Sequence, residues 1–154
     1  MKPTLNPQRS TPDPRVQYWE DFFVYNANFV SIAPAAVQNV GIPIQADAVF
    51  RWYATTYYAD IAGAVFTESA APVPQCVLQI TDSSSNRQLL LNPAPLSTIG
   101  GNGQLPFYLP QPREFAPNSN ISLQLTNFST ASTYNVRLQL IGAKLMQGGG
   151  KALG

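Results

Sequence analysis

Strict alternation of apolar and polar residues is the feature that most limits what this chain can fold into. It is clearest in Ile121-Ser122-Leu123-Gln124-Leu125-Thr126, and Val136-Arg137-Leu138-Gln139-Leu140 repeats it. Successive side chains of a β-strand point to opposite faces, so each segment predicts a strand with its aliphatic side chains on one buried face. The polar residues 127–133 suit a connecting loop, and we predict that the two strands pair as an antiparallel hairpin.

Further strand signals recur at short spacing along the chain. Residues 76–81 and 87–91 flank a turn rich in Asp, Ser and Asn and predict a second hairpin. Aromatic and β-branched residues, which favour strands, are concentrated in four upstream segments, 22–25, 29–32, 40–46 and 49–58. No segment shows a convincing helical period with caps. The predicted fold class is therefore all-β: a jelly-roll-like antiparallel β-sandwich of about eight short strands with an extended N-terminal arm.

Proline, glycine and charge divide the chain into three parts. Residues 1–15 contain four prolines and predict a basic extended arm, 16–145 form the β-sandwich domain, and the glycine-rich 146–154 predict a flexible tail. With Lys144 counted in the tail, five basic residues against Asp13 give the two ends a charge of +4. Four arginines against seven carboxylates give the rest −3. Basic arms on a mildly acidic body suit docking on an acidic partner, although solvated ends would have the same composition.

The composition argues against most catalytic chemistry. The chain has no histidine, which removes the usual neutral-pH general base and both Ser-His-Asp and Cys-His arrangements. The carboxylates are too scattered for a metal site or a paired-carboxylate hydrolase, and Gly100–Gly103 lack the Lys-Ser/Thr of a phosphate loop. The single cysteine, Cys76, predicts a small buried thiol. We expect no enzymatic activity, no metal and no cofactor.

Nucleic acid and membrane are not the expected partners. The aromatic run around Arg51 could stack bases, but the negative body has the wrong sign for phosphate binding, so core and interface roles are favoured. There is no secretory signal and no apolar run of membrane-spanning length, which predicts a soluble protein made in the cytoplasm. Only 11% of residues are charged, against about 25% in an average soluble domain, as is common where a surface packs against neighbours.

A 34-residue stretch, QITDSSSNRQLLLNPAPLSTIGGNGQLPFYLPQP, joins the second predicted hairpin to a long loop of apolar, proline and glycine residues. This stretch, together with shorter matching segments before and after it, resembles the capsid cement or decoration proteins of tailed bacteriophages. The resemblance covers about residues 22–145 and not the proline-rich arm. The matching blocks, in order, are Asp47-Ala48-Val49-Phe50, Gln79-Ile80-Thr81-Asp82 with Arg87-Gln88-Leu89, Gly103-Gln104-Leu105-Pro106-Phe107, and Ile141-Gly142-Ala143-Lys144.

The resemblance implies a jelly-roll protein on the outer surface of a phage capsid, where it bridges adjacent major capsid subunits and stabilises the shell. A symmetric junction between subunits favours a homodimer or homotrimer. The alternative is a receptor- or glycan-binding module of a virion fibre or tail, in which exposed aromatic rings stack on sugars.

Two elements are candidates for the capsid contact. The first is the loop of residues 92–112, whose prolines lower the ordering cost of binding; the alternative is that this loop folds back over the sandwich and buries itself. The second is the basic arm, as an extended clamp on a neighbouring subunit. The interface residues that these hypotheses name are Leu96, Ile99, Leu105, Phe107, Tyr108 and Leu109 in the loop, and Lys2, Arg9 and Arg15 in the arm.

Overall fold

Two antiparallel sheets packed face to face make up the computed structural model, which describes residues 17–62 and 72–148. The all-β sandwich fold class is therefore confirmed. The elements are β1 Gln17–Ile32, β2 Val37–Pro43, β3 Val49–Ile61, β4 Cys76–Asp82, β5 Arg87–Gln88, β6 Ala94–Pro95, α1 Leu96–Ile99, β7 Phe107–Phe115, β8 Asn120–Asn127 and β9 Tyr134–Gly148.

The order of strands within the sheets is that of a jelly roll. The first sheet has the order β1-β9-β3-β7 and the second β2-β8-β4-β5, with β6 also paired to β4. The short strands β5 and β6 lie along the same edge of β4, at Thr81↔Gln88 and Val77↔Pro95, and together take the place of one edge strand. Counted in this way, successive strands alternate between the two sheets except at β4, whose hairpin partner β5 lies in the same sheet, and the chain forms an eight-stranded double-sheet roll.

The first predicted hairpin is wrong, and the second is confirmed. β8 pairs with β2 and β4, whereas β9 pairs with β1 and β3, so the two most regular strands lie in different sheets. The connection from β8 to β9 crosses from one sheet to the other and is held at its start by the buried side chain of Asn127. This side chain donates hydrogen bonds to the carbonyls of Ile32 (2.9 Å) and Ser132 (2.8 Å). In the second hairpin β4 and β5 pair at Thr81↔Gln88, as expected.

Three strands of the first sheet are much longer than the predicted short strands. β1 has 16 residues and unites the segments 22–25 and 29–32, while β3 has 13 and β9 has 15. β1 and β9 pair from Gln17↔Gly148 to Phe29↔Val136, so each strand supplies hydrogen-bond partners along the whole length of the other. β9 therefore continues beyond residue 145, where the tail was predicted to begin. The arm, residues 1–15, lies outside the described residues.

The core lies between the inward faces of both sheets. Cys76 is buried among its residues, and burial raises the pKa of its thiol to about 11, which keeps it protonated at neutral pH. The largest side chains that are almost fully buried are Phe29, Phe50, Phe115, Ile32, Leu78, Leu96, Ile121, Leu123, Leu125, Leu138 and Leu140.

Lys144, which the charge count grouped with the tail, lies in β9 and belongs to the sandwich. It is 7% exposed, and its ammonium donates to Gln45 and to both carboxylate oxygens of Asp47, at 3.1 and 2.8 Å. The ammonium also lies 4.1 Å from the centre of the Phe23 ring. Carboxylate, amide and ring face together offset the cost of burying this charge. The hydrogen bond from Lys144 outweighs partial burial and holds the pKa of Asp47 below its usual value.

We expect Asp47→Asn to lower the free energy of unfolding by about 1 kcal/mol at neutral pH, because the carboxylate is nearly half exposed and solvent screens the ion pair. Since folding lowers the pKa of Asp47, the ion pair stabilises above the ordinary value of 3.8 and loses its contribution as pH falls through the lowered value. Urea unfolding of wild type and variant should therefore differ at neutral pH and converge in acid. Adding Lys144→Met should restore part of the loss, since no buried charge is then left unpaired. A difference independent of pH would contradict this account.

Candidate interaction surface

The outward face of the first sheet carries apolar side chains on all four strands, which are exposed on the two edge strands and nearly buried at Ala54 and Ala143 between them. Directly paired residues share a face, and the ladders place Val24, Ile141, Ala54 and Tyr108 in one row across all four strands. Phe22 and Ala143 begin the next row. Phe22 is 77% exposed and Tyr108 70%, so both ends of the band lie open to solvent. We call these residues the apolar band: Phe22, Val24, Ala54, Tyr108, Ile141 and Ala143.

A charged cluster borders the apolar band. Arg51, in the same row as Phe22 and Ala143, donates through Nη1 to Glu20 of β1. Through Nη2 and Nε it donates to Oε1 of Glu114 on β7, at 2.7 and 3.0 Å. The Tyr53 hydroxyl donates to Glu20 at 2.9 Å. One guanidinium thus links the two edge strands of the sheet across its surface.

The electrostatics of this cluster favour a fixed arrangement. Burial opposes the charge of Arg51, but its hydrogen bonds, among them those to Glu114, outweigh burial and raise the pKa of the guanidinium. Burial raises the pKa of the Tyr53 phenol, and the nearby Glu20 carboxylate adds to the increase. Two carboxylates on one guanidinium leave the cluster with one net negative charge. Because each side chain is partly exposed, the contribution to stability is modest and the main effect is to position the groups.

A polar hollow occupies the other half of the same outward face. It has a volume of about 380 Å³ and is lined by Asn26, Asn28, Val30, Arg137 and Gln139. Tyr58 pairs with Arg137 in the ladder and stands beside the hollow, 38% exposed. The sheet therefore changes along its strands from apolar and charged to amide-rich.

The structure divides the residues of the loop hypothesis into buried and exposed ones. Leu96 is 0% exposed and belongs to the core, so the prediction that it forms part of an interface is wrong. α1 turns its side chain inward, and Ile99 and Leu109 pack against the core while remaining partly exposed. Phe107 is also half-buried and lies opposite Thr55 in the ladder between β3 and β7. Much of the loop thus folds back onto the sandwich, which was the alternative considered.

Leu105 and Tyr108 are the members of the predicted set that face solvent strongly, at 76% and 70% exposure. The turn before Leu105 is held by Asn102, whose Oδ1 accepts from the amides of Gln104 (2.9 Å) and Leu105 (2.8 Å). Gly101 has a φ of 65°, a conformation that glycine adopts without strain, and its carbonyl accepts from Tyr57 of β3 at 3.1 Å. The exposed Leu105 is therefore presented by a well-bonded turn that precedes β7.

The remaining predicted residues, Lys2, Arg9 and Arg15, lie outside the described residues. Sequence reasoning did not find the contribution of Phe22, nor that of Arg51 with its two glutamates. Alternation in β1 would have shown that one of the adjacent Phe22 and Phe23 must face outward. No local signal could have joined Arg51 to Glu20 and Glu114, which are 31 and 63 positions away.

Comparison with known proteins identifies no relative: no protein-family model matches the chain, and neither a curated protein nor a solved structure does. Within residues 17–62 and 72–148, no group of three or more His, Cys, Asp and Glu side chains is arranged to hold a metal ion. In the same ranges no helix has the length and apolar character needed to cross a bilayer.

The opposite placements of Leu96 and Leu105 can be tested with a matched pair of variants. Leu96→Ala should lower the free energy of unfolding by about 3 kcal/mol, because it leaves a cavity in the core. Leu105→Ala should change it by less than about 0.5 kcal/mol, as is usual for exposed positions. Urea denaturation followed by tryptophan fluorescence measures both. Equal losses would contradict the division of this loop into a buried part and a presented part.

Proposed function

We propose that this chain is a virion structural protein that binds the outer surface of a tailed-bacteriophage capsid and bridges major capsid subunits. The observation that carries the proposal is the apolar band, exposed at Phe22 and Tyr108, together with the exposed Leu105 in the hydrogen-bonded turn that precedes β7. The sequence resemblance to cement and decoration proteins and the jelly-roll order of the strands support a role on a capsid over other binding roles. Its partners are the major capsid protein and further copies of the chain.

The composition of this face suits a protein interface. Interfaces have an apolar, aromatic-rich centre with few charges, surrounded by a polar rim. Here Phe22 and Tyr108 are exposed apolar side chains at the two edges of the band, and the Arg51 cluster lies at its border. Fixed ion pairs at a rim contribute specificity and association rate more than affinity. Contact through a preformed sheet also avoids most of the cost of ordering a flexible segment.

Stabilisation of a shell by such a protein follows from mass action. A ligand that binds the assembled junction but not the separated subunits adds RT ln(1 + [L]/Kd) to the stability of each junction. Because a capsid repeats the junction many times, weak individual contacts suffice. The basic arm, with Lys2, Arg9 and Arg15, is proposed as a second contact with an acidic neighbouring surface.

The capsid contact is tested by combining Leu105→Ser and Tyr108→Ser. We expect at least about a tenfold loss in affinity for capsids that lack the protein, because truncation of exposed anchors at an interface centre costs more than about 1 kcal/mol each. Co-sedimentation with purified capsids measures the binding. The matched control is Leu91→Ser, since Leu91 is 92% exposed but follows β5 at the edge of the other sheet. Unchanged binding by the double variant, or an equal loss in the control, would contradict the assignment of this face.

The polar hollow favours a second candidate function, a glycan-binding module of a fibre or tail. Asparagine, glutamine and arginine side chains around the hollow can hydrogen-bond sugar hydroxyls, and the neighbouring Tyr58 ring could stack on a sugar face.

Copy number and glycan binding separate the two functions. For a cement protein we expect a copy number comparable with that of the capsid subunits by gel densitometry of virions, and no binding to a glycan array. A fibre-tip module would be present in few copies, and Arg137→Ala would abolish its glycan binding. That second result would overturn the capsid proposal.

A further inference from the structure

β1 is the edge strand of the first sheet, and its outer edge is long. β1 has 16 residues and pairs with β9 on one side, while the strand order places no described strand on its other side. Such an edge is a ready template for pairing with another strand.

Two side-chain contacts reveal which backbone groups of β1 face outward. The N–H of Val30 donates to Oε1 of Gln38 at 3.1 Å, and its carbonyl accepts from Nε2 of the same side chain at 3.4 Å. The N–H of Ser31 instead donates to Asn135 of β9, at 2.7 Å. Since successive residues of an antiparallel strand direct their backbone groups to alternate sides, the even-numbered residues from 20 to 28 face away from β9. Among the described residues, these groups have no hydrogen-bond partner.

The free edge has a defined end. Natural edge strands are commonly blocked by lysine, proline or a bulge, yet residues 22–29 of β1, FFVYNANF, contain neither a charge nor a proline. Protection begins at Val30, where Gln38 occupies both backbone groups, and at Ser31, whose φ of 51° breaks the regular strand. The available template therefore ends at Asn28.

We propose that β1 pairs antiparallel with β1 of a second copy, around a two-fold axis at Val24. With this centre, all even-numbered residues from 20 to 28 find a partner and the blocked Val30 is left out. In this register Val24 lies opposite itself, Phe22 opposite Asn26 of the second copy, and Glu20 opposite Asn28 of the second copy.

Hydrogen-bond and apolar complementarity favours a second copy as the occupant. The two Glu20 carboxylates lie at opposite ends of the paired region, each facing an asparagine amide that can donate to it. Phe22 and Val24, on the outward face, then meet across the axis and lose exposed apolar surface. An isologous pair of this kind closes as a dimer and cannot form a trimer.

This inference rests on the proposed function, which expects the chain to bind further copies of itself. It adds the surface of that contact, the open edge of β1, and its two-fold symmetry. Pairing of the two edges joins the first sheets of both copies into one continuous sheet. The apolar bands of the two copies then lie side by side on the same face. A dimer built in this way presents two equivalent contact surfaces, as bridging of two capsid subunits requires.

Sedimentation equilibrium of the full chain, with no capsid present, should give the mass of a dimer. Val24→Pro should raise the dissociation constant at least about tenfold, because it removes the hydrogen bonds at the axis. The variant should still fold, since the N–H of Val24 takes no part in the ladder with β9 and proline is tolerated on the open side of edge strands. Unfolding by urea checks that it does.

Cysteine cross-linking tests the register without a change in backbone. Val24→Cys should form an intermolecular disulfide on mild oxidation, because opposed residues of antiparallel strands lie about 5.5 Å apart between Cα atoms. The matched control is Phe22→Cys on the same face, whose two copies would be about 14 Å apart in this register. Cys76 is buried and should not react.

A trimer, a monomer at all accessible concentrations, or a dimer unaffected by Val24→Pro would overturn the inference. So would cross-linking of Phe22→Cys in place of Val24→Cys. If the wild type is monomeric, self-pairing is wrong whatever the effect of Val24→Pro on capsid binding, since Val24 also belongs to the apolar band. The proposed function fails independently, when the variant with Leu105→Ser and Tyr108→Ser binds capsids normally while the dimer is intact.

Discussion

The rest of the structure depends on the hydrogen-bonded ladder between β1 and β9. β9 lies inside the first sheet, between β1 and β3, and pairs with both strands along most of their length. The ladder places Lys144 beside Phe23 and the Gln45–Asp47 segment, so that a buried charge is satisfied where the first sheet meets the connection from β2 to β3. It also aligns Phe22 and Val24 with Ile141 and Ala143, which creates the apolar band.

The sequence predicted the faces of strands better than their neighbours. Alternation is local, so it correctly showed that Leu123 and Leu138 face a core. It could not show which strands pair, because the same pattern of inward aliphatics fits any neighbour, and β8 and β9 were wrongly joined. For the second hairpin, the turn-forming residues before Arg87 indicated that the strands on either side are neighbours, and this prediction is confirmed.

The candidate surface was predictable only in part, because local sequence patterns do not show which strands are neighbours. The loop of residues 92–112 combines prolines, glycines and leucines without a period, so nothing in its sequence distinguishes the buried Leu96 from the exposed Leu105. Leu96 is buried by α1, whereas the turn held by Asn102 presents Leu105 to solvent. The apolar band combines residues from four strands, and only the register of the whole sheet brings them together.

The pairing of the first described strand with the last has a consequence for synthesis. β1 has no partner in its own sheet until β9, residues 134–148, has left the ribosome. Most of the described residues must therefore be synthesised before the first sheet can form, and contacts of such long sequence separation form slowly. During that interval the uncharged residues 22–29 are exposed on both sides, which makes nascent chains prone to aggregate. Chains interrupted before β9 cannot complete the first sheet, because β1 and β3 both pair with β9.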